Sequence, residues 1–349
     1  MINNRLALAI SWIWIVGCIQ TTREVFVSTL AGNGKMGNKN GPALEASFSN
    51  PMAVAADKNG NVFVADSRNN LIRKIDRDGV VSTYAGSGVE GSEDGPARSA
   101  SFFYPQGIAV DKNGNVYVAD THNSLIRKIS PDGLVTTIAG RRPGKLAEAK
   151  DSSVRLDNPS GIAVDEDGEA YIADWANDLI RKISPSGKLS IVAGNGSPGS
   201  QDGHDTAALF YLPWAVAVDH QNNLYITDSY NNMIRKVSRD GFVTTVAGHK
   251  AKGSSNGKGM LASFLHPTGI AVDLEGNIYV ADTENHCIRK ILPDGEVSTL
   301  AGNGIRGSVN GPAREANFYR PFGLAVNDQG DIFVADYENN MIREIRVNK

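Results

Sequence analysis

The feature that most constrains this chain is a phrase of 15 residues that returns six times at a fixed spacing. Its second copy reads NVYVADTHNSLIRKI and ends at Ile129. The Asp in the middle of each copy falls 54 residues after the previous one, at Asp66, Asp120, Asp174, Asp228, Asp282 and Asp336. An uninterrupted repeat of this length is typical of a propeller, a solenoid or another repeat array.

Each repeat unit contains four short apolar runs separated by turn sequences. In the second unit the runs cover residues 107–111, 115–120, 125–129 and 134–140. They are rich in Val, Ile and Tyr and too short for helices, and the turns DKNGN and SPDG supply the residues that tight hairpins need. The sequence therefore predicts an all-β fold, a six-bladed β-propeller of four-stranded antiparallel blades.

The two ends of the chain indicate how the ring closes. The last unit stops after its third strand, whereas the string VSTLAG, which is the fourth strand of the fifth unit at 297–302, also stands at 27–32, before the first unit. We expect this N-terminal strand to complete the last blade, which would close the ring and protect an exposed edge. Residues 25–349 are then a single propeller domain.

The repeated pattern, best seen at 105–129 as PQGIAVDKNGNVYVADTHNSLIRKI, resembles the NHL repeat. The resemblance covers essentially everything after the leader. It implies a six-bladed propeller and a broad range of functions, from binding of protein, RNA or carbohydrate to lyase or hydrolase chemistry in some relatives. A fold of this kind does not settle the activity.

The leader, residues 1–18, reads MINNRLALAISWIWIVGC. One Arg precedes an apolar run that is too short for a membrane anchor, as in a secretory signal peptide. The end IVGC resembles the bacterial lipobox, with Ile where Leu is usual, and would make Cys18 a lipidation site followed by a tether at 19–24. We therefore expect a lipid anchor as the one membrane attachment, at the outer membrane or cell surface of a bacterium. The alternative is an ordinary leader, a secreted protein and an incidental Cys18.

Composition excludes several classes of function. The net charge of −3 offers no attraction to nucleic acid. Two cysteines provide neither a disulfide framework nor a zinc site, and Leu or Met takes the place of Cys287 in the other units, so we expect a buried thiol there. Four segments match the G-x-G-x-x-G spacing, but none opens a helix, so they are interpreted as loops between blades. We expect no cofactor and no resident metal.

Residues that recur in every unit are expected to stabilise the structure of the blade. An Arg recurs seven residues after each Asp, on the strand face that packs against the next blade, where a guanidinium needs a carboxylate. The alternative is a ring of Arg for anionic ligands. The predicted ion pairs are Asp66–Arg73, Asp120–Arg127, Asp174–Arg181, Asp228–Arg235, Asp282–Arg289 and Asp336–Arg343.

Residues that break the repeat are candidates for function. In an antiparallel blade the long loops and the dipeptide after each Asp leave from one face of the disc, and the tight hairpins leave from the other. On the loop-rich face two positions vary: the residue after the Pro at the channel mouth, and the dipeptide after each repeated Asp. Their aromatic rings are expected to be exposed around the mouth, as in sites for sugars or peptides. The alternative is that these rings only pack the loops. The candidate ligand-binding residues are Gln106, Trp175, Trp214, Tyr230, Phe322 and Tyr337.

These observations predict a non-catalytic, extracytoplasmic binding or scaffold propeller that is monomeric and recognises a glycan or protein in the cell envelope. The alternative is a metal-dependent lyase or lactone hydrolase of the propeller type. Such an enzyme needs His, Asp or Glu side chains that converge on the channel. Only His266, Glu284 and His286, which lie in one unit, could seed that site.

Overall fold

The computed structural model describes residues 24–140 and 155–347 and contains six antiparallel sheets, one for each repeat unit. The innermost strands of successive blades contact one another in a closed cycle, so the sheets form a ring around a central channel. From the channel outward, the strands are Pro51–Ala56, Val62–Asp66, Leu71–Ile75 and Val80–Ala85 in blade one; Gly107–Val110, Val116–Asp120, Leu125–Ile129 and Leu134–Gly140 in blade two; Pro159–Val164, Ala170–Asp174, Leu179–Ile183 and Leu189–Ala193 in blade three; Pro213–Val218, Leu224–Asp228, Met233–Val237 and Phe242–Gly248 in blade four; Pro267–Val272, Ile278–Asp282, Cys287–Ile291 and Glu296–Ala301 in blade five; and Pro321–Val326, Ile332–Asp336, Met341–Val347 and Val25–Ala31 in blade six. The predicted six-bladed all-β propeller is confirmed.

Short 3-10 helices join the second and third strands of every blade. Each begins directly after the repeated Asp and is followed by a residue in the left-handed region, with φ of 53° to 55°. Within the part of the chain that the structure describes, two more lie in the loops that enter blades four and five. The helices are Ser67–Asn69, Thr121–Asn123, Trp175–Asn177, Asp205–Ala207, Ser229–Asn231, Gly259–Leu261, Thr283–Asn285 and Tyr337–Asn339. No helix among residues 24–140 and 155–347 is long and apolar enough to cross a membrane.

The N-terminal strand lies in blade six. Val25–Ala31 pairs antiparallel with Met341–Val347, with Val27 opposite Ile345. The side chain of Val27 is fully buried, whereas that of its neighbour Phe26 is 41% exposed. The first and last strands of the described chain thus hold the same blade together, in the position that the sequence analysis assigned to the N-terminal strand.

Five blades carry a fifth strand of two residues that the sequence analysis did not predict. The loop entering each blade lays this pair against the fourth strand, as where Gly41 lies opposite Val81. Two residues are too few to show a hydrophobic period, so pattern analysis could not detect them. The equivalent loop of blade three falls partly on 141–154, outside the described residues. The pairs are Gly41–Pro42, Gly95–Pro96, Gly203–His204, Gly257–Lys258 and Gly311–Pro312.

The hydrophobic core lies between neighbouring blades. Ala65 and Ile72 of blade one pack with Ile108 and Val118 of blade two, and equivalent residues repeat this contact around the ring. Cys287 is one of the buried residues, and burial raises the pKa of its thiol to about 12. The thiol therefore serves as a small apolar group.

All six predicted Asp–Arg pairs are present and buried, with N···O distances of 2.6 to 2.8 Å. In blade one, Arg73 donates to Asp66 and also to the carbonyl oxygens of Ser47 and Lys39 in the long loop, at 3.0 and 3.1 Å. The guanidinium also lies 5.3 Å from the ring centroid of Phe48. Burial raises the pKa of Asp66 to about 6, against the opposing effect of Arg73. Each pair therefore ties a long loop to its blade, and removing one partner would leave a buried charge with neither a counter-charge nor water.

Replacing Arg73 with Met should lower the free energy of unfolding by about 3 to 5 kcal/mol, because Asp66 would remain as an unpaired buried carboxylate. Urea unfolding followed by circular dichroism measures the change. The matched control is Lys74→Met, at the next position of the same strand, which is partly exposed. Equal effects of the two substitutions would contradict the structural role of the pair.

Replacing Val27 with Asp should destabilise the protein by several kcal/mol, because a carboxylate would enter the core of blade six. Phe26→Asp, one residue earlier on the exposed side, should cost less than about 1 kcal/mol. Thermal unfolding of both variants checks this. A Val27→Asp protein as stable as Phe26→Asp would show that the N-terminal strand does not hold the ring together.

Candidate functional site

The central channel is too narrow for an organic ligand. Its volume at the waist is about 50 Å³, room for only a few water molecules. The innermost strands approach so closely that a Cβ on Gly269 would lie 2.2 Å from the carbonyl oxygen of Phe322, and a Cβ on Gly161 would lie 2.7 Å from that of Trp214. A ligand on the loop-rich face must therefore bind over the channel mouth.

Four predicted residues form one cluster over this mouth, which we call the aromatic rim: Trp175, Trp214, Phe322 and Tyr337. Their ring centroids form a chain, with 6.1 Å between Trp175 and Trp214, 5.6 Å between Trp214 and Phe322, and 4.7 Å between Phe322 and Tyr337. The contact between Trp214 and Phe322 joins blade four to blade six. The rim is thus a continuous surface built from three blades.

Small polar residues of the preceding blades support the rim from below. The hydroxyl of Ser160 donates to the carbonyl oxygen of Trp214 at 2.6 Å, and that of Thr268 donates to the carbonyl oxygen of Phe322 at 3.1 Å. Both hydroxyls are on buried residues. They fix the backbone from which the two aromatic side chains project.

Two rim residues replace a hydrogen bond that the other blades use. In blades one, two, four and five the residue after the repeated Asp is Ser or Thr, and its hydroxyl donates to a Pro carbonyl of the next blade at 2.5 to 2.8 Å. Blades three and six have Trp175 and Tyr337 at this position and lack that bond. The indole N–H of Trp175 is buried without a hydrogen-bond partner among the described residues. Loss of a structural contact in favour of a large ring is typical of a functional surface.

A second position is the residue before the Pro that leads into the innermost strand of each blade, which the sequence analysis considered only at His266. It has a positive φ in every blade, including 52° at Tyr104 and 51° at Arg320. This backbone region is costly for bulky side chains and is enriched at functional sites. The hydroxyl of Tyr104 lies 3.4 Å from that of Tyr337, and its ring stacks on His122. The signal in the sequence was a bulky residue at a position where blades one and three have Asn.

Arg320 brings charge to the rim. Its guanidinium carbon lies 5.7 Å from the ring centroid of Phe322, and its nitrogens lie 2.8 Å from Glu284 and 3.5 Å from Glu338. Aromatic faces are therefore flanked by groups that donate and accept hydrogen bonds. This combination suits a ring with C–H faces and a hydroxyl edge, as in a sugar.

The remaining candidates have other surroundings. Gln106 lines the channel, and Tyr230, 46% exposed, packs on Tyr211 and His266 at a separate place on the loop face. The expectation that Phe322 exposes its ring is wrong, because Trp214, Tyr337 and Arg320 surround it and leave it 6% exposed. Phe322 therefore supports the rim from within.

The three residues of the possible metal site do not converge. Glu284 is held by Arg320, and Nδ1 of His286 accepts the backbone N–H of Arg320 at 3.3 Å. The ring of His266 packs on Tyr230 at 4.7 Å. Among residues 24–140 and 155–347, no three His, Cys, Asp or Glu side chains are grouped closely enough to hold a metal ion.

Comparison with known families identifies the repeat. The NHL repeat model matches residues 48–75, 264–291 and 318–344, and the Teneurin NHL domain model matches residues 88–150. The chain is 31% identical over 333 residues to NHL repeat-containing protein 2 of Gallus gallus, which covers 84% of this chain and 46% of that protein. The chain spans less than half the length of the curated relatives that it matches.

Solved structures share the fold at low sequence identity. An auxiliary nutrient binding protein from Bacteroides thetaiotaomicron superposes with a TM-score of 0.71 and 19% identity, covering 94% of this chain and 77% of that one. Virginiamycin B lyase from Staphylococcus aureus gives a TM-score of 0.56 and 16% identity, covering 92% of this chain and 99% of that one. These two structures host different functions on one architecture.

Replacing His286 with Asn should make the protein less sensitive to acid. Burial, followed by the charge of Arg306, lowers the pKa of His286 below its ordinary value of 6.5. The unfolded chain therefore takes up a proton first, and the stability due to neutral His286 is lost as pH falls below about 6.5. Asn fills the equivalent position in blades one, four and six and accepts the same kind of hydrogen bond, as Asn70 does from Tyr104. Thermal unfolding between about pH 8 and about pH 5 measures the effect.

The matched control for this experiment is His204→Asn, because His204 is exposed on an outer strand. Because the side chain of His204 is exposed, its replacement should change the free energy of unfolding by less than about 0.5 kcal/mol at pH 8. If His286→Asn loses stability in acid as steeply as the unmodified protein does, protonation of His286 is not a cause of that loss.

Proposed function

Because this chain is a β-propeller built of NHL repeats, we propose that it is a non-catalytic binding protein whose aromatic rim recognises a glycan or protein ligand. The observation that carries the proposal is the exchange of a structural Ser or Thr for Trp175 in blade three and Tyr337 in blade six. The other four blades show what the fold itself requires at this position. The two departures meet in a single aromatic cluster, as a shared binding surface would require.

The chemistry of the rim favours a sugar ring over a peptide. The cluster is compact, and its polar neighbours, Arg320 and Glu284, lie at its side and can exchange hydrogen bonds with ring hydroxyls. Binding over a closed channel also supports recognition without catalysis, since enzymes usually enclose their substrates in a deeper pocket. The similarity in fold to an auxiliary nutrient binding protein is consistent with this role.

We place the protein in the bacterial cell envelope, tethered through a lipid on Cys18, or secreted. This assignment rests on the signal-peptide pattern of residues 1–18 and the short tether at 19–24, and residues 1–23 lie outside the described residues. In this arrangement residues 25–349 act as one monomeric propeller domain. Its rim is then available to envelope glycans or proteins.

Trp175→Thr and Tyr337→Thr, combined, should abolish ligand binding without weakening the fold. Thr is the residue of blades two and five, so each new hydroxyl can restore the bond to a Pro carbonyl, worth about 1 kcal/mol. Binding is measured by titrating soluble oligosaccharides, with peptides as a second arm, and following tryptophan fluorescence. After the leader the chain contains only Trp175 and Trp214, so the signal reports on the rim itself.

The control is Phe242→Ala, which removes a 47% exposed ring from an outer strand of blade four. It should leave binding intact. The proposal fails if the double variant still binds, or if it loses about 3 to 5 kcal/mol of stability, as expected for rings that serve packing. Turnover of a lactone or of a lyase substrate by the purified protein would overturn the non-catalytic assignment.

A further inference from the structure

The face opposite the aromatic rim contains a larger cavity. It measures about 760 Å³, within the range of small-molecule sites, and surrounds the other end of the channel. Most of its lining comes from the hairpins between the first and second strands of blades six, one and two, with one residue from each of the remaining blades. We call it the hairpin-face cavity. The narrow waist of about 50 Å³ separates it from the rim.

One position in these hairpins varies from blade to blade, although the turn around it is constant. The preceding residue is Asp in five blades and Asn in the sixth, and it is required by the turn. Asp57, for example, accepts hydrogen bonds from the backbone N–H groups of Asn59 and Asn61 at 2.9 and 2.8 Å. The variable residues all line the cavity and are Lys58, Lys112, Glu166, His220, Leu274 and Asp328. The sequence analysis, which placed variation on the loop face, missed this ring.

The variable ring has a basic side. Lys58 and Lys112 occupy neighbouring blades, are exposed, and make no ion pair among the described residues. The repeated carboxylates beside them, Asp57 and Asp111, are engaged within their own turns. In contrast, Glu166 on blade three is held by His220, whose Nδ1 lies 3.1 Å away. Asp328 of blade six is the remaining carboxylate of the ring and lies on the far side of Lys58 from Lys112. An anion that binds between the two ammonium groups of Lys58 and Lys112 therefore avoids it.

Apolar surface lies below and opposite these ammonium groups. Val62 and Phe333, both nearly buried, contribute to the lining, and Leu274 of blade five is 56% exposed. Blade five is opposite blade two in a six-bladed ring, so Leu274 faces Lys112 across the cavity. A ligand with a charged end and an apolar body would satisfy both sides.

We infer that the hairpin-face cavity binds a small amphipathic anion, with its carboxylate or phosphate between Lys58 and Lys112 and its apolar body directed toward Leu274. This site is separate from the rim in position and in chemistry. It takes an anion with an apolar body, whereas the rim takes a sugar ring or peptide. The closed waist means that neither ligand reaches the other site through the channel.

Calorimetric titration with octanoate, acetate and 1-octanol tests the proposal. Octanoate presents both features, acetate the charge alone, and 1-octanol the apolar chain alone. We expect saturable binding that is tightest for octanoate. The combined substitution Lys58→Gln and Lys112→Gln should weaken octanoate binding by about tenfold or more, since two charge-assisted hydrogen bonds are lost. Leu274→Gln should weaken the binding of octanoate but not that of acetate.

Matched controls keep the result specific. Lys35→Gln with Lys252→Gln changes the net charge equally but on exposed loop residues, and should leave octanoate binding unchanged. Trp175→Thr with Tyr337→Thr should also leave it unchanged, which separates this site from the rim. Unfolding curves confirm that each variant folds. Absence of saturable octanoate binding at millimolar concentrations, or equal binding by the Lys58→Gln and Lys112→Gln variant, would overturn the inference.

Discussion

The buried pair of Asp and Arg in each blade is the interaction on which the rest of the structure depends. The Arg reaches from the third strand to the Asp at the end of the second, and then to carbonyl oxygens of the long loop that enters the blade. Two charges removed from water are stable only when they pair with each other and accept or donate hydrogen bonds to their surroundings, so strand and loop share one arrangement. This explains how loops rich in Gly and charged residues hold a defined face.

Six copies of one unit provide an internal comparison that a single domain lacks. At the position after the Asp, four hydroxyls donate hydrogen bonds that join one blade to the next. The two aromatic replacements, Trp175 and Tyr337, cannot make this hydrogen bond. Tyr104 and Arg320, beside the same rings, also place bulky side chains on left-handed backbone, as Leu212 and His266 do in blades four and five. Lost hydrogen bonds and bulky residues on left-handed backbone therefore occur together at the aromatic rim, as expected where a rigid scaffold carries a binding surface.

The narrow waist gives the propeller two independent faces. The close approach of the inner strands at Gly161 and Gly269 leaves no passage for an organic molecule. The loop face displays aromatic rings that are supported by neighbouring blades, whereas the hairpin face displays single variable residues on uniform turns. Turns that are stabilised by their own Asp can change the next residue without cost to the blade, because its side chain makes none of the turn's hydrogen bonds.

The repeat alone determined the number of blades, the four main strands of each blade and the partner of each buried Arg. These follow from period, alternation and the need of a buried charge for a counter-charge, all of which are local properties of the chain. Only the tertiary structure decided which aromatic rings meet. Tyr104 and Tyr337 are 233 residues apart in sequence, and Trp214 reaches Phe322 only because the ring places their blades around one narrow mouth. The same closure buried Phe322, engaged Glu284 with Arg320 and added the two-residue outer strands, because contacts between distant segments exist only after the blades have assembled.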